Sequence, residues 1–373
     1  MRARIVGAVL LIVALVLLPV FVTAQEDGVD TRGLEQAWQK LEEKYSRYLP
    51  DINWKDPGST VEVPALVGGL ARYFFHQVWA NASLLGQLII LAVVSALIGN
   101  LQASFSSQGV AQVGRAVVFM VLFSVSMYSF SLAVGLARDS VRAMTDMVLA
   151  LVPVLLPLLA ALGSITAAAI FQPLLLTTAA VVGNVVDNII LPLLFAASAL
   201  AAVNQMLAGV DIDKLAGLLK DISVWLLGFL VTVFVGVTIV NGGVAAVADG
   251  VALRTGKFTA KALIPVVGGM FSDAFETVAG AALILKNSIG LFGVIAVSVI
   301  CLFPVIKLFA ITLIYRGTAA LLQPLGEEAV SETLEIMAKY MYAVIGAVVA
   351  VGGMFFIIIT IIIAAANFML MLG

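Results

Sequence analysis

One cysteine, Cys301, and one histidine, His76, occur in the 373 residues. The first number excludes an intrachain disulfide, and the two together exclude a Cys/His metal cluster. Charge is scarce as well. Only 11% of the chain is Asp, Glu, Lys or Arg, against roughly 25% in ordinary soluble domains. The net charge of −2 supplies no basic field for nucleic acid. The apolar region also lacks a Ser/His pair, because His76 precedes its first span. Nor is there a Gly-x-Gly-Asp sequence or a Tyr-Asp partner of the kind intramembrane aspartyl proteases use. No catalytic residue, cofactor or metal site is expected, and enzyme is the weakest functional class.

What the chain has is apolar sequence, 62% of it even without its 32 glycines. A soluble fold could not hide that much, so the expected fold is an all-α polytopic membrane bundle. The few charges are clustered: 9 of 22 acids and 5 of 20 bases fall within 25–64. Before them, Arg2 and Arg4 precede an apolar run from 5 to 18, Pro19 breaks it, and Val22-Thr23-Ala24 offers small residues for cleavage. This predicts a signal peptide over 1–24, with an uncleaved anchor as the alternative. An extracytoplasmic amphipathic segment then occupies 25–80. In it Leu34, Trp38, Leu41, Tyr45 and Tyr48 recur at helical spacing. Such a stripe packs on a neighbour or rests at the lipid interface more often than it binds a ligand.

The polytopic domain is expected over 81–373. Spanning takes about 20 apolar residues, and windows of that kind fall at 84–102, 116–137, 147–170, 223–247, 288–306 and 340–369. Two further segments, 173–203 and 262–285, contain polar residues and read as full spans, broken half-helices or interfacial pieces. Counting both gives about eight transmembrane helices. Loop charges past residue 100 then divide seven inside (Arg115, Arg254, Lys257, Lys261, Lys307, Arg316 and Lys339) against five outside (Arg138, Arg142, Lys214, Lys220 and Lys286), a weak positive-inside bias. The stretches 211–221 and 326–339 read as short amphipathic connectors.

Within the doubtful segments, Gly269, Asp273, Glu276 with Thr277, and Gly280 fall on one face of a helix. Carboxylates cost about 2.5 to 3.5 kcal/mol each at a membrane helix centre, so this face should look into protein or water. Either it walls an aqueous passage, or 262–285 lies at the interface with its acids solvated. Asn184, Asp187 and Asn188 form a similar face, for which interhelical hydrogen bonding is the plainer reading. The glycine-flanked run 250–258 has five residues between its glycines and Phe258 where a phosphate-binding loop needs Ser or Thr. It reads as a cytoplasmic turn. Glycines 236, 242, 243, 346, 352 and 353 read as close-packing contacts between helices.

The stretch 257–293, KFTAKALIPVVGGMFSDAFETVAGAALILKNSIGLFG, resembles the most characteristic block of the stage III sporulation protein AE family. A second stretch, 86–105, GQLIILAVVSALIGNLQASF, resembles that family's first membrane span. The order of signal sequence, short extracytoplasmic segment and polytopic region is similar too. The resemblance implies a membrane component of the channel-like, secretion-like complex between mother cell and forespore that endospore formation requires. It would sit in the mother-cell membrane around the forespore. The implied partners are other stage III sporulation A proteins, including a cytoplasmic ATPase and ring-forming proteins, together with the lipid bilayer. No catalytic residues come with the resemblance. A stand-alone secondary transporter and a non-conducting membrane scaffold are the alternatives; the first would show two-fold repetition between halves, which is not found.

Overall fold

The computed structural model describes the backbone over 63–104, 108–162, 164–205, 212–263, 268–325 and 328–372, and parts of 36–48. Side chains are described throughout these except 63–67, most of 92–115, nearly all of 242–288, and 365–372. The expected signal peptide, 1–24, lies outside the described residues.

All the described regular structure is helical. In chain order the helices are α1 (Val63–Ala80), α2 (Ala82–Ser104), α3 (Gln108–Ala161), α4 (Ile165–Val185), a π-helical turn (Val186–Ile190), α5 (Leu191–Asn204), α6 (Asp213–Leu263), α7 (Gly268–Leu322) and α8 (Glu328–Leu372). Among the described residues, six helices are long and apolar enough to cross a membrane. Some are far longer than the sequence windows. The apolar part of α3, Ala116–Ala161, is 46 residues, about 69 Å at 1.5 Å per residue against a hydrocarbon core of about 30 Å.

The extra length arises because expected breaks are absent. Spans anticipated at 116–137 and 147–170, with an external loop at 138–146, are one helix as far as Ala161. The sequence RDSVRAMTD there has no Gly or Pro to stop a helix, and its two arginines share one carboxylate, that of Asp187 in the π-helical turn. Likewise α7 runs unbroken through 268–322, joining the separate segments expected at 262–285 and 288–306. The connectors expected at 211–221 and 326–339 are largely the first turns of α6 and α8. The turn expected at 250–258 is helix within α6.

The core is built on α7 and α8, the most extensive helix pair, with α3 packed against both. Close contacts fix their registers. The Tyr315 hydroxyl donates to the Ser126 carbonyl at 3.1 Å, and a Cβ at Gly293 would meet Leu151 at 2.6 Å, so α3 and α7 run antiparallel. A Cβ at Gly352 would meet Cys301 at 2.6 Å and Met144 at 3.5 Å, which sets the three helices at one height there. The buried hydroxyls of Thr312 and Thr318 bond to carbonyls of their own helix, Thr312 to Leu308 and Thr318 to Ile314, both at 2.8 Å.

Of the glycines read as packing contacts, Gly352 is one, while Gly236, Gly346 and Gly353 have open space. The side chains around Gly242 and Gly243 lie outside the described residues. Gly183, Gly290 and Gly293 make the close approaches that spacing alone did not single out.

Candidate functional site

Two arginines one turn apart on α3 converge on one carboxylate. Arg138 donates from Nε to Asp187 Oδ1 at 2.7 Å, and Arg142 donates from Nε to Asp187 Oδ2 at 2.7 Å. Both carboxylate oxygens are thus engaged by charge-assisted bonds. Asp187 is buried, its side chain 8% exposed, whereas those of Arg138 and Arg142 are 36% and 56% exposed.

Local structure explains how so short a side chain reaches across. Asp187 is the second residue of the π-helical turn, in which Leu191 N–H bonds the Val186 carbonyl five residues back. Such widened turns cluster at functional positions. One turn earlier Gly183 backs directly onto Thr145 of α3, where any Cβ would overlap the Thr145 hydroxyl. Glycine therefore lets α4 approach α3 closely enough for the clamp to close.

Asn184 and Asn188 do not join it. They are exposed, and Asn188 Nδ2 donates weakly to Asn184 Oδ1 at 3.4 Å. Asp187 faces inward from the same turn, so the three residues do not act as one face. For the other predicted group, α7 carries Gly269, Asp273, Glu276, Thr277 and Gly280 in one continuous helix. Their side chains lie outside the described residues.

A second cluster sits at the same height on the other side of α7. The Tyr45 ring stacks on Phe303 at 4.2 Å, Tyr73 of α1 meets Phe303 edge-on at 4.8 Å, and Tyr48 meets Tyr73 at 5.0 Å. Further along α7, Trp38 meets Phe292 at 5.0 Å. The aromatic stripe of the N-terminal segment therefore packs on α1 and α7, with Gly69 of α1 tight against the Tyr48 carbonyl. Burial of Tyr45 between these rings, with Tyr73 beside it, pushes its hydroxyl well above the usual tyrosine range. Among the described residues no group of His, Cys, Asp or Glu could hold a metal ion.

Asp187, Arg138 and Arg142 form a charged cluster where α3 meets the π-turn. Beyond it, towards Ala161, the stretches 147–185, 230–248, 287–303 and 350–373 contain no Asp, Glu, Lys or Arg. On the opposite side α6, α7 and α8 carry Lys220, Lys307, Arg316, Glu335 and Lys339.

The family profile of stage III sporulation protein AE matches residues 53–366. The chain belongs to the stage III sporulation protein AE family. It is 36% identical over 354 residues to the stage III sporulation protein AE of Bacillus subtilis (strain 168), a match covering 92% of this chain and 88% of that protein. No solved structure matches it. Membership of the family assigns a role in sporulation, and the apolar helices make the chain a membrane protein in character.

Proposed function

We propose that this member of the stage III sporulation protein AE family is a membrane component of the channel-like, secretion-like complex joining mother cell and forespore. It would reside in the mother-cell membrane around the forespore. Its partners would be other stage III sporulation A proteins, including a cytoplasmic ATPase and ring-forming proteins. The observation that carries this reading is the family match across 53–366. The bundle adds physical support, because helices much longer than a bilayer is thick suit a part that links the membrane to an assembly beyond it.

The test is genetic. Deleting the gene in its host should leave vegetative growth normal and stop spore development after engulfment. A growth defect with normal sporulation would overturn the proposal in favour of a transporter. Whether this subunit walls a conduit is tested in a Cys301→Ala background. Cysteines at Gly269, Asp273, Glu276 and Gly280 should react with a small impermeant thiol reagent, while those at Phe271 and Val278 should not. Uniformly unreactive positions would leave a non-conducting scaffold.

A further inference from the structure

The Arg138–Asp187–Arg142 clamp leaves binding capacity unused. Each arginine spends its Nε–H on Asp187, and among the described residues the terminal amino groups of both guanidiniums have no hydrogen-bond partner. Both side chains are substantially exposed. The buried Asp187 thus fixes two outward-facing guanidinium edges one helical turn apart, a geometry suited to the oxygens of a phosphate.

The height of the clamp indicates where such a phosphate comes from. The apolar run 116–137 before Arg138 is about 33 Å long, close to one hydrocarbon thickness of about 30 Å, whereas the charge-free run after the exposed Asp146, 147–161, is only about 22 Å. Exposed arginines are too costly to hold at a bilayer centre. With lipid along 116–137, the clamp lands at its surface, where phospholipid phosphates lie. The outer side of α4 leading to the clamp exposes Ile165 and Val181, and the π-turn exposes Ile189. That surface suits acyl chains. Asn184 and Asn188, exposed between Val181 and Ile189, add amide groups at headgroup level.

We propose that Arg138 and Arg142, held by Asp187, bind the phosphate of an anionic phospholipid headgroup. Two exposed acids on α3, Asp139 and Asp146, oppose this. Asp139 is close enough for its charge to be felt at Arg142. Its removal should therefore tighten binding.

The test uses the full chain in a neutral detergent, with lipid retention read by native mass spectrometry and stability by thermal unfolding. Phosphatidylglycerol should be retained at lower concentration than phosphatidylcholine and should raise the unfolding midpoint, while inorganic phosphate at equal concentration should not. Arg138→Gln with Arg142→Gln should weaken phosphatidylglycerol retention by about tenfold or more, the loss expected for charge-assisted bonds. Asp139→Asn, which leaves the clamp intact, should strengthen it. Undiminished retention by the double variant, or no gain from Asp139→Asn, would overturn the proposal. Equal stabilisation by inorganic phosphate would overturn the lipid as the source.

Discussion

On the side of the Asp187 clamp towards Ala161, the stretches 147–185, 230–248, 287–303 and 350–373 carry no charge, and close helix contacts lie there. Gly183, Gly290, Gly293 and Gly352 each stand where a Cβ would collide with a neighbour. On the side towards the Gln323–Leu325 turn the helices carry charge, and Gly135, Gly217, Gly317 and Gly346 all face open space. Lys220 there lies over the Tyr340 ring at 5.4 Å, and Lys339 pairs loosely with Glu335 at 3.9 Å. Where helices have no polar groups to join them, backbone proximity and dispersion hold them together. Glycine is a close contact at Gly183, Gly290, Gly293 and Gly352 but not at Gly236 or Gly353 on the same side, so its role is set position by position.

The largest expected effect comes from the junction between the two sides. Phe303, 1% exposed, joins α7 to Tyr45 and Tyr73. Phe303→Ala should cost about 3 to 5 kcal/mol and should expose residues 36–48 to limited proteolysis. Undiminished protease resistance would show that the N-terminal segment is held elsewhere.

Gly352→Ala should come next. Its new methyl would press on Cys301, itself buried, at a cost of about 2 kcal/mol in detergent unfolding. Asp187→Asn should lower stability by about 1 to 2 kcal/mol, because its two arginines keep access to solvent. The loss should shrink as salt rises. The smallest effect has the opposite sign. Gly346→Ala adds a methyl where nothing lies within 4 Å, so helix propensity alone should stabilise by about 0.5 to 1 kcal/mol. Equal losses from Gly352→Ala and Gly346→Ala would erase the distinction between the two kinds of glycine position.

Helical class and membrane character were legible in the sequence, because apolar composition and length demand them. The stripe of Trp38, Tyr45 and Tyr48 was legible as a packing surface, though not its partners on α1 and α7. Helix boundaries were not legible. Arg138 and Arg142 look like loop residues in any local window, and only the carboxylate 45 and 49 positions later makes them acceptable within a helix. Helical spacing alone groups Asp187 with Asn184 and Asn188. The π-turn, which no residue type announces, turns the aspartate inward while the two amides stay exposed. Gly183, which permits the clamp, carried no sign beyond being a small residue in an apolar run.

The 45 and 49 residues separating the arginines from their counter-ion are also an interval in time. Translation at about 5 to 20 residues per second delivers Asp187 roughly 2 to 10 s after Arg138. Throughout that interval α3 emerges with Arg138 and Arg142 while the carboxylate that binds both does not yet exist. The clamp therefore closes only once the α3–α4 hairpin, from Gln108 to the π-turn, has been made.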